Sequence, residues 1–509
     1  MLIVATLMGA SASISTAWAQ ETHSHPAPEK LGTVSFPTSC APNVAHDFER
    51  AVALLHSFAY TAAETAFQNV AKADPACAMA HWGAAMSYYH ELWGPPSPAE
   101  LQKGQAEVEQ AQRLNAKTDR ERQLIAAIAA YYRDADRLPP PVRAKAYEKA
   151  MSTVAKNYSA DTEVQVFYAL SLIATAPPED KTHANQKRAA AILEPIYRSY
   201  PDHPGIAHYL IHAYDSAELA PRGLAAARAY SKIAPSAPHA LHMPSHIFTR
   251  LGLWDDSIAS NIAARTAAHN QHDVGEELHA MDYLVYAYLQ RGRQKEAEQV
   301  VAELDAMDAL SGSDFKVGYA ATAMPVRLAM ERHQWDAAIA LKALPESAPH
   351  VAAVVYWARA VANARAGHPQ AASDDIARLD TCRQQLQAAG NAYWATQVDV
   401  LSKEARAWQL AANNQPKEAV DQLSQAAAEE DAVEKLPVTP GPIIPAREQL
   451  GDLLLSQHRP QEALQAYRIA LADAPGRLGA LTGAAKAADL AGDTRTAQQM
   501  RAKLPEKID

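Results

Sequence analysis

The sequence predicts an all-α protein, a right-handed superhelical solenoid of antiparallel helical hairpins. Three observations lead there. His208 and His212 stand one helical turn apart, and His242 and His246 repeat that pair 34 residues later; a period of 34 is the length of a helix-turn-helix repeat. Across the chain, small residues at helix-approach positions, a Gly or polar residue in a short turn, and then an aromatic or polar residue with Ala recur, while alternating strand patterns are absent. The 509 residues, 48% of them hydrophobic, are too many for one compact core and suit several domains or a long solenoid.

Residues 1–19, MLIVATLMGASASISTAWA, run from apolar to small residues and place Ala17-Trp18-Ala19 before Gln20. That is the pattern of a secretory signal peptide, though without the usual basic start. No Cys stands at the cleavage point, which argues against a lipoprotein. No other apolar run reaches the roughly 18 residues of a membrane span. The expected location is periplasmic or secreted, in a bacterium. Residues 20–43 are polar and Pro-rich, with His23 and His25, and read as a flexible segment.

Residues 44–203 form the N-terminal helical repeats. They open with DFERAVALLHSFAYTAAETAFQNVAKADP, in which Ala51 and Ala63 allow close helix approach, Phe67 packs and Pro75 closes the hairpin. ACAMAHWGAAMSYYHELWGPP, TDRERQLIAAIAAYYRD and DTEVQVFYALSLIATAPP continue the pattern. Residues 204–311 are the histidine-rich central repeats, and 312–509 the C-terminal ones. About eleven hairpins fit. Two loops break the rhythm. TPGPIIPARE, Thr439–Glu448, reads as a stiff extended connector because each proline biases its predecessor away from helix. PSAPHALHMPSH, Pro235–His246, places Pro244 in a first helical turn, where its missing N–H costs nothing.

Net charge is −10, from 47 basic and 57 acidic side chains. That argues against nucleic acid or an anionic membrane surface as the main partner. No nucleophile elbow, Gly-rich phosphate loop, HExxH or CxxC motif is present, and Ser245 beside His242 and His246 has no supporting motif. No catalytic residue is therefore assigned.

Gly252-Leu253-Trp254 with Ser257, Ile258 and Ala264, and Leu450-Gly451 with Leu454, Ala463, Tyr467, Ala470 and Pro475, resemble the tetratricopeptide repeat family. The resemblance covers nearly the whole chain after the signal peptide, with insertions at Glu91–Thr118 and Ala176–Ala190. The histidine-rich repeats look like those of a group of secreted bacterial repeat proteins. The resemblance implies that the first helix of each hairpin lines a concave groove open to a peptide or protein ligand. It also implies that successive first helices pack side by side. Cys40 and Cys77 each precede such a helix, so they either form a bridge in an oxidising compartment or remain separate thiols, with Cys382 left over.

Carried onto this chain, the groove positions are His208 and His212, then His239, His242 and His246, then His279, Asp282 and Tyr286. The chain holds 20 histidines, and nine of them lie between His203 and His279. Imidazole suits Zn, Cu, Fe or Ni rather than Ca or Mg. The expectation is that His208, His212, His242 and His246 converge on one divalent transition-metal ion. His239, His279 and Asp282 would support them, with Asp215, Glu276 and Asp282 as acceptors that fix histidine tautomers. The rival is a set of histidines bonded to one another, to tyrosines or to a bound peptide. A metal-dependent enzyme, oxidoreductase or hydrolase, built on the same cluster is the alternative function. His56 and His90, with Trp82, Tyr89 and Trp93 nearby, read as an aromatic groove for a peptide or organic ligand. Arg327 is either a clamp for a carboxylate or phosphate or half of a structural ion pair.

Overall fold

A computed structural model describes residues 29–92, 94–307 and 310–506. The signal-peptide pattern, His23, His25 and Trp93 lie outside them. The chain is an all-α solenoid of tetratricopeptide-type hairpins, with no strand among the described residues. Each hairpin packs small side chains between its helices. Where the first helix ends, the turn takes a left-handed backbone, at Gly252 (φ 68°) and Gly292 (φ 70°) in the central repeats and at His458 (φ 57°) in the C-terminal ones; His272 (φ 57°) takes it between two central hairpins. His90 (φ 53°) holds such a turn position as well. It therefore does not continue the His56 series onto a groove face. No helix among the described residues is long and apolar enough to cross a membrane.

The expected flexible segment over 20–43 is corrected from Glu29 onward. Leu31, Val34 and Phe36 are buried, and Phe36 sits between Phe48 and Trp82 at ring distances of 5.3 and 5.4 Å. The backbone N–H of Lys30 donates to Ser236 Oγ at 2.8 Å, and that of Thr33 to the Asp202 carbonyl at 3.0 Å. Apolar side chains spaced along an otherwise polar stretch are enough to lay it across the first repeats. Cys40 and Cys77 are bridged, with Cα atoms 4.7 Å apart. The insertion at Glu91–Thr118 contributes the helix Pro98–Leu114, opened by a capping box from Ser97 and Glu100.

The solenoid coils tightly enough for its C-terminal repeats to touch the central ones. Trp254 Nε1 donates to the Gly476 carbonyl at 3.0 Å. The buried Arg477 guanidinium binds Glu448 at 2.7 Å, Glu331 at 2.8 Å and the Tyr286 hydroxyl at 3.2 Å.

The bore left by this coil is filled by the chain itself. Residues 434–444, between the helices Pro416–Asp431 and Ala446–Ser456, cross it. The Glu434 N–H donates to the Pro178 carbonyl at 2.8 Å, Lys435 Nζ to Asp215 at 3.0 Å, and the Leu436 N–H to the Tyr393 hydroxyl at 3.0 Å. Arg327 donates to the Pro442 carbonyl (2.9 Å), Thr439 Oγ1 (2.8 Å) and the Gly441 carbonyl (2.9 Å). The proline-rich stretch is thus a plug as well as a connector. Its prolines remove N–H groups that would need partners in the bore.

Candidate metal centre

Under the plug lie the histidines. His208 and His212 sit on Pro204–Ala213, every residue of which is buried. His239 and His242 sit on Pro238–His242, and His246 on Pro244–Arg250. Pro244 breaks what would be one helix, and the His246 N–H bonds back to the Met243 carbonyl at 3.1 Å. Both Pro-led helices still present their imidazoles to one side. His279 comes from Val274–Gln290.

The four paired histidines do not close on one point. His208 Nε2 and His212 Nε2 meet at 3.1 Å, and His242 Nε2 and His246 Nε2 at 3.0 Å. His212 and His246 are 6.0 Å apart between ring centroids, whereas His239 approaches His208 to 5.0 Å and His279 approaches His242 to 4.3 Å. The result is two triads, His208–His212–His239 and His242–His246–His279, with donor atoms in each within 4.8 Å of one another. The repeat phase sets the pairs on neighbouring helices correctly. The helix spacing leaves each pair nearer to a third histidine than to the other pair.

The surroundings dictate tautomers. His208 Nδ1–H donates to the His56 carbonyl at 2.6 Å. His242 Nδ1–H donates to Asn261 Oδ1 at 2.6 Å, and that amide is oriented by its own Nδ2 donating to the Ser257 carbonyl at 2.8 Å. His246 Nδ1–H donates to Asp215 Oδ2 at 2.9 Å. His239 Nδ1–H donates to Glu276 Oε2 at 3.2 Å. A proton held at Nδ1 leaves Nε2 a bare lone pair. In the second triad two such lone pairs, on His242 and His246, face each other at 3.0 Å, with the Tyr283 hydroxyl 3.4 Å from the second; a divalent ion between them could meet both. Burial pushes the His208, His212, His242 and His279 imidazoles well below their ordinary range, and His246 down to about 4 despite Asp215. Burial thus favours the neutral imidazoles that serve as metal ligands. Nitrogens sharing one Zn at about 2.0–2.1 Å sit roughly 3–3.4 Å apart, close to both pairs. Outward N–H bonds to carboxylate, carbonyl or amide oxygens are what metal-bound histidines use to hold their orientation.

Asp215 is itself held. Burial alone would raise its carboxyl, but Lys435 and Arg250 bring it well below the usual carboxylate range. Asp215 and Glu276 thus occupy the orienting places expected of them. Asp282 does not. It is fully buried against Arg327, 2.9 Å away, and belongs to neither triad. Arg327 spends its donors on Asp282 and the plug, so it is a structural anchor and not a ligand clamp. Tyr286 is buried between Arg327 and Arg477 at cation–ring distances of 5.1 and 5.6 Å.

The expected aromatic groove around His56, His90 and Trp82 is not assembled. Trp82 is core, edge-on to Phe167 at 5.4 Å. His56 Nε2 pairs with Glu163 at 2.9 Å and His56 Nδ1 with the Tyr209 hydroxyl at 2.9 Å. His203 Nε2–H donates to the other Glu163 oxygen at 2.9 Å, while its Nδ1 accepts the Ile206 N–H at 3.3 Å. These ring nitrogens are all engaged within the protein. The group braces the His208 helix, and its donor atoms also lie within 4.8 Å of one another. Sequence reasoning missed Asn261, Tyr283, Arg250 and Lys435. A buried Asn on an Ala-rich helix was a readable signal. The lysine, 220 residues from its partner, gave none.

No family model matches the chain, and no curated protein matches it. Solved structures with some likeness include the human IFIT1 dimer with m7Gppp-AAAA, 11% identical over 84% of this chain and 89% of that one, TM-score 0.38. Naa15/Naa10 bound to HypK-THB is 13% identical over 90% and 69%, TM-score 0.25. The P58(IPK) TPR domain is 13% identical over 89% and 99%, TM-score 0.23. Likeness this distant says nothing of what the present chain binds.

Proposed function

We propose that the protein is an exported helical-repeat protein that holds divalent transition-metal ions, one per histidine triad, in the bore beneath the 434–444 plug. The observation that carries this reading is the facing pair His242 Nε2 and His246 Nε2 at 3.0 Å, both with Nδ1 committed to outside acceptors. A peptide lying along the concave groove is the weaker reading, because residues of the chain's own loop fill that space. Export is supported by the leader-like residues 1–19 and by the Cys40–Cys77 bridge, which persists in oxidising compartments. Mass spectrometry that finds Gln20 as the first residue of exported material tests that half.

The metal reading is tested on tag-free protein incubated separately with Zn, Cu, Ni and Fe, desalted, and analysed for metal content. One ion per triad is expected for at least one of these metals. His242→Ala with His246→Ala should remove the share of one triad, and His208→Ala with His212→Ala the share of the other. Wild-type protein that retains no near-stoichiometric ion of any of the four sinks the reading.

A further inference from the structure

The triads differ in access. A cavity of about 480 Å³ reaches His212 and Asp215, and a wider cleft of about 1230 Å³ reaches His239 and Glu276 on the other side. Neither is lined by His242, His246 or His279. Those three are covered by Tyr283, whose hydroxyl lies 3.3 Å from both the Pro437 and Thr439 carbonyls of the plug and 3.4 Å from His246 Nε2. Structural metal sites are closed, whereas reactive ones keep a position open to an outside ligand.

The cavity beside His212 has the makings of a ligand pocket. Phe315, Tyr393 and Trp394 give it aromatic walls, and His350 stacks on Trp394 at 4.4 Å. Three polar atoms of its lining, Glu91 Oε1, Gln186 Oε1 and His350 Nε2, are buried without a hydrogen-bond partner. Native proteins rarely leave such atoms unmatched unless a ligand or water meets them. Gln186 Oε1 can only accept, so its complement is an O–H or N–H donor, while a carboxyl group at Glu91 can meet either side of a hydroxyl. Its cationic wall residue, Lys435, is already spent on Asp215. Burial holds the Glu91 carboxyl well above the usual carboxylate range. A flat, uncharged body with hydroxyl donors fits these walls, and the volume lies within the range of small-molecule pockets.

We propose that the His208–His212–His239 triad is the exchangeable site, that it takes a hydroxylated aromatic molecule from the cavity beside His212, and that the His242–His246–His279 triad is closed and structural. This rests on the metal reading above. The hydroxyl oxygen would meet the ion at the His212 end, and the ring would lie against Trp394 with its remaining donors toward Glu91 and Gln186.

The test uses full-length metal-loaded protein titrated with 4-nitrocatechol, whose visible absorption shifts when its oxygens bind a metal. Wild type and His246→Ala should show a saturable shift, and His212→Ala should not. Trp394→Ala and Gln186→Leu should weaken binding by about tenfold, with metal content and far-UV dichroism unchanged. Metal-loaded wild type that gives no shift overturns the inference while leaving the metal reading intact. So does full affinity in the cavity variants, or a shift lost with His246→Ala and kept with His212→Ala. If wild type carries no metal, the metal reading itself has failed. Saturable quenching of tryptophan fluorescence by the same probe, smaller in Trp394→Phe than in wild type, then decides whether the cavity takes the ring.

Discussion

Lys435 Nζ lies 3.0 Å from Asp215 Oδ2 across the bore, although 220 residues separate them. The same carboxylate oxygen accepts His246 Nδ1–H at 2.9 Å, and its partner oxygen accepts Arg250 Nε–H at 2.9 Å. The plug is therefore wired to the orientation of a triad histidine.

Asp215→Asn should break that wiring. It leaves Lys435 and Arg250 buried without their shared anion, a change worth about 3–5 kcal/mol when one member of a buried ion pair is removed. Denaturant unfolding should show this loss. Metal analysis should show the share of the His242–His246–His279 triad reduced while the other triad keeps its own.

The Cys40–Cys77 bridge closes a loop across a separation of 37 residues. Replacing both by Ser should destabilise the protein by about 3–4 kcal/mol on the chain-entropy account. Dithiothreitol should reproduce the loss in wild type and leave the double variant unaffected.

Gly205 lies where a Cβ would stand 2.5 Å from His56 Nδ1. Gly205→Ala forces the His56 ring off Tyr209 or the helix Pro204–Ala213 away from it. The expected cost is about 1–3 kcal/mol, together with a weaker His208 site, since the His56 carbonyl orients that ring. Unchanged stability and unchanged metal content would contradict the packing described here.

Glu430 supplies a pH test away from the histidines. Burial pushes its carboxyl up to about 8, against about 4.3 in an unfolded chain. The folded state keeps the proton through that window and the unfolded state does not, so stability falls as pH rises from about 4.3 to about 8. Its Oε2 accepts the Ala446 N–H at 2.8 Å, a bond a glutamine oxygen can keep. Glu430→Gln should raise the melting temperature by a few degrees at pH 8 and leave it unchanged at pH 4.

The helical hairpins were legible in the sequence because they rest on local periodicity: Gly252 and Gly292 mark turns, and Ala51 and Ala63 mark helix contacts. The 34-residue phase also placed His208, His212, His242 and His246 on adjacent helices. It could not say that His239 and His279 would complete separate triads, because that depends on how far apart the helices pack. Asp282 and Arg327 shared a groove position on paper, yet their opposite charges meet each other before they meet any ligand. The burial of the whole cluster was invisible, because the covering segment is distant in the chain and its prolines read equally well as a spacer.

The plug also sets an order of events. A ribosome delivers the chain from its N-terminus, so every triad histidine is made long before Lys435 and the prolines that follow it. While the later repeats are still missing, nothing from residues 434–444 can cover the histidine bed. Arrival of the last repeats closes the bowl over the His242–His246–His279 triad. On the metal reading, an ion would reach the closed triad of a mature molecule only as those longest-range contacts open, so loading there would be slower than at the other triad.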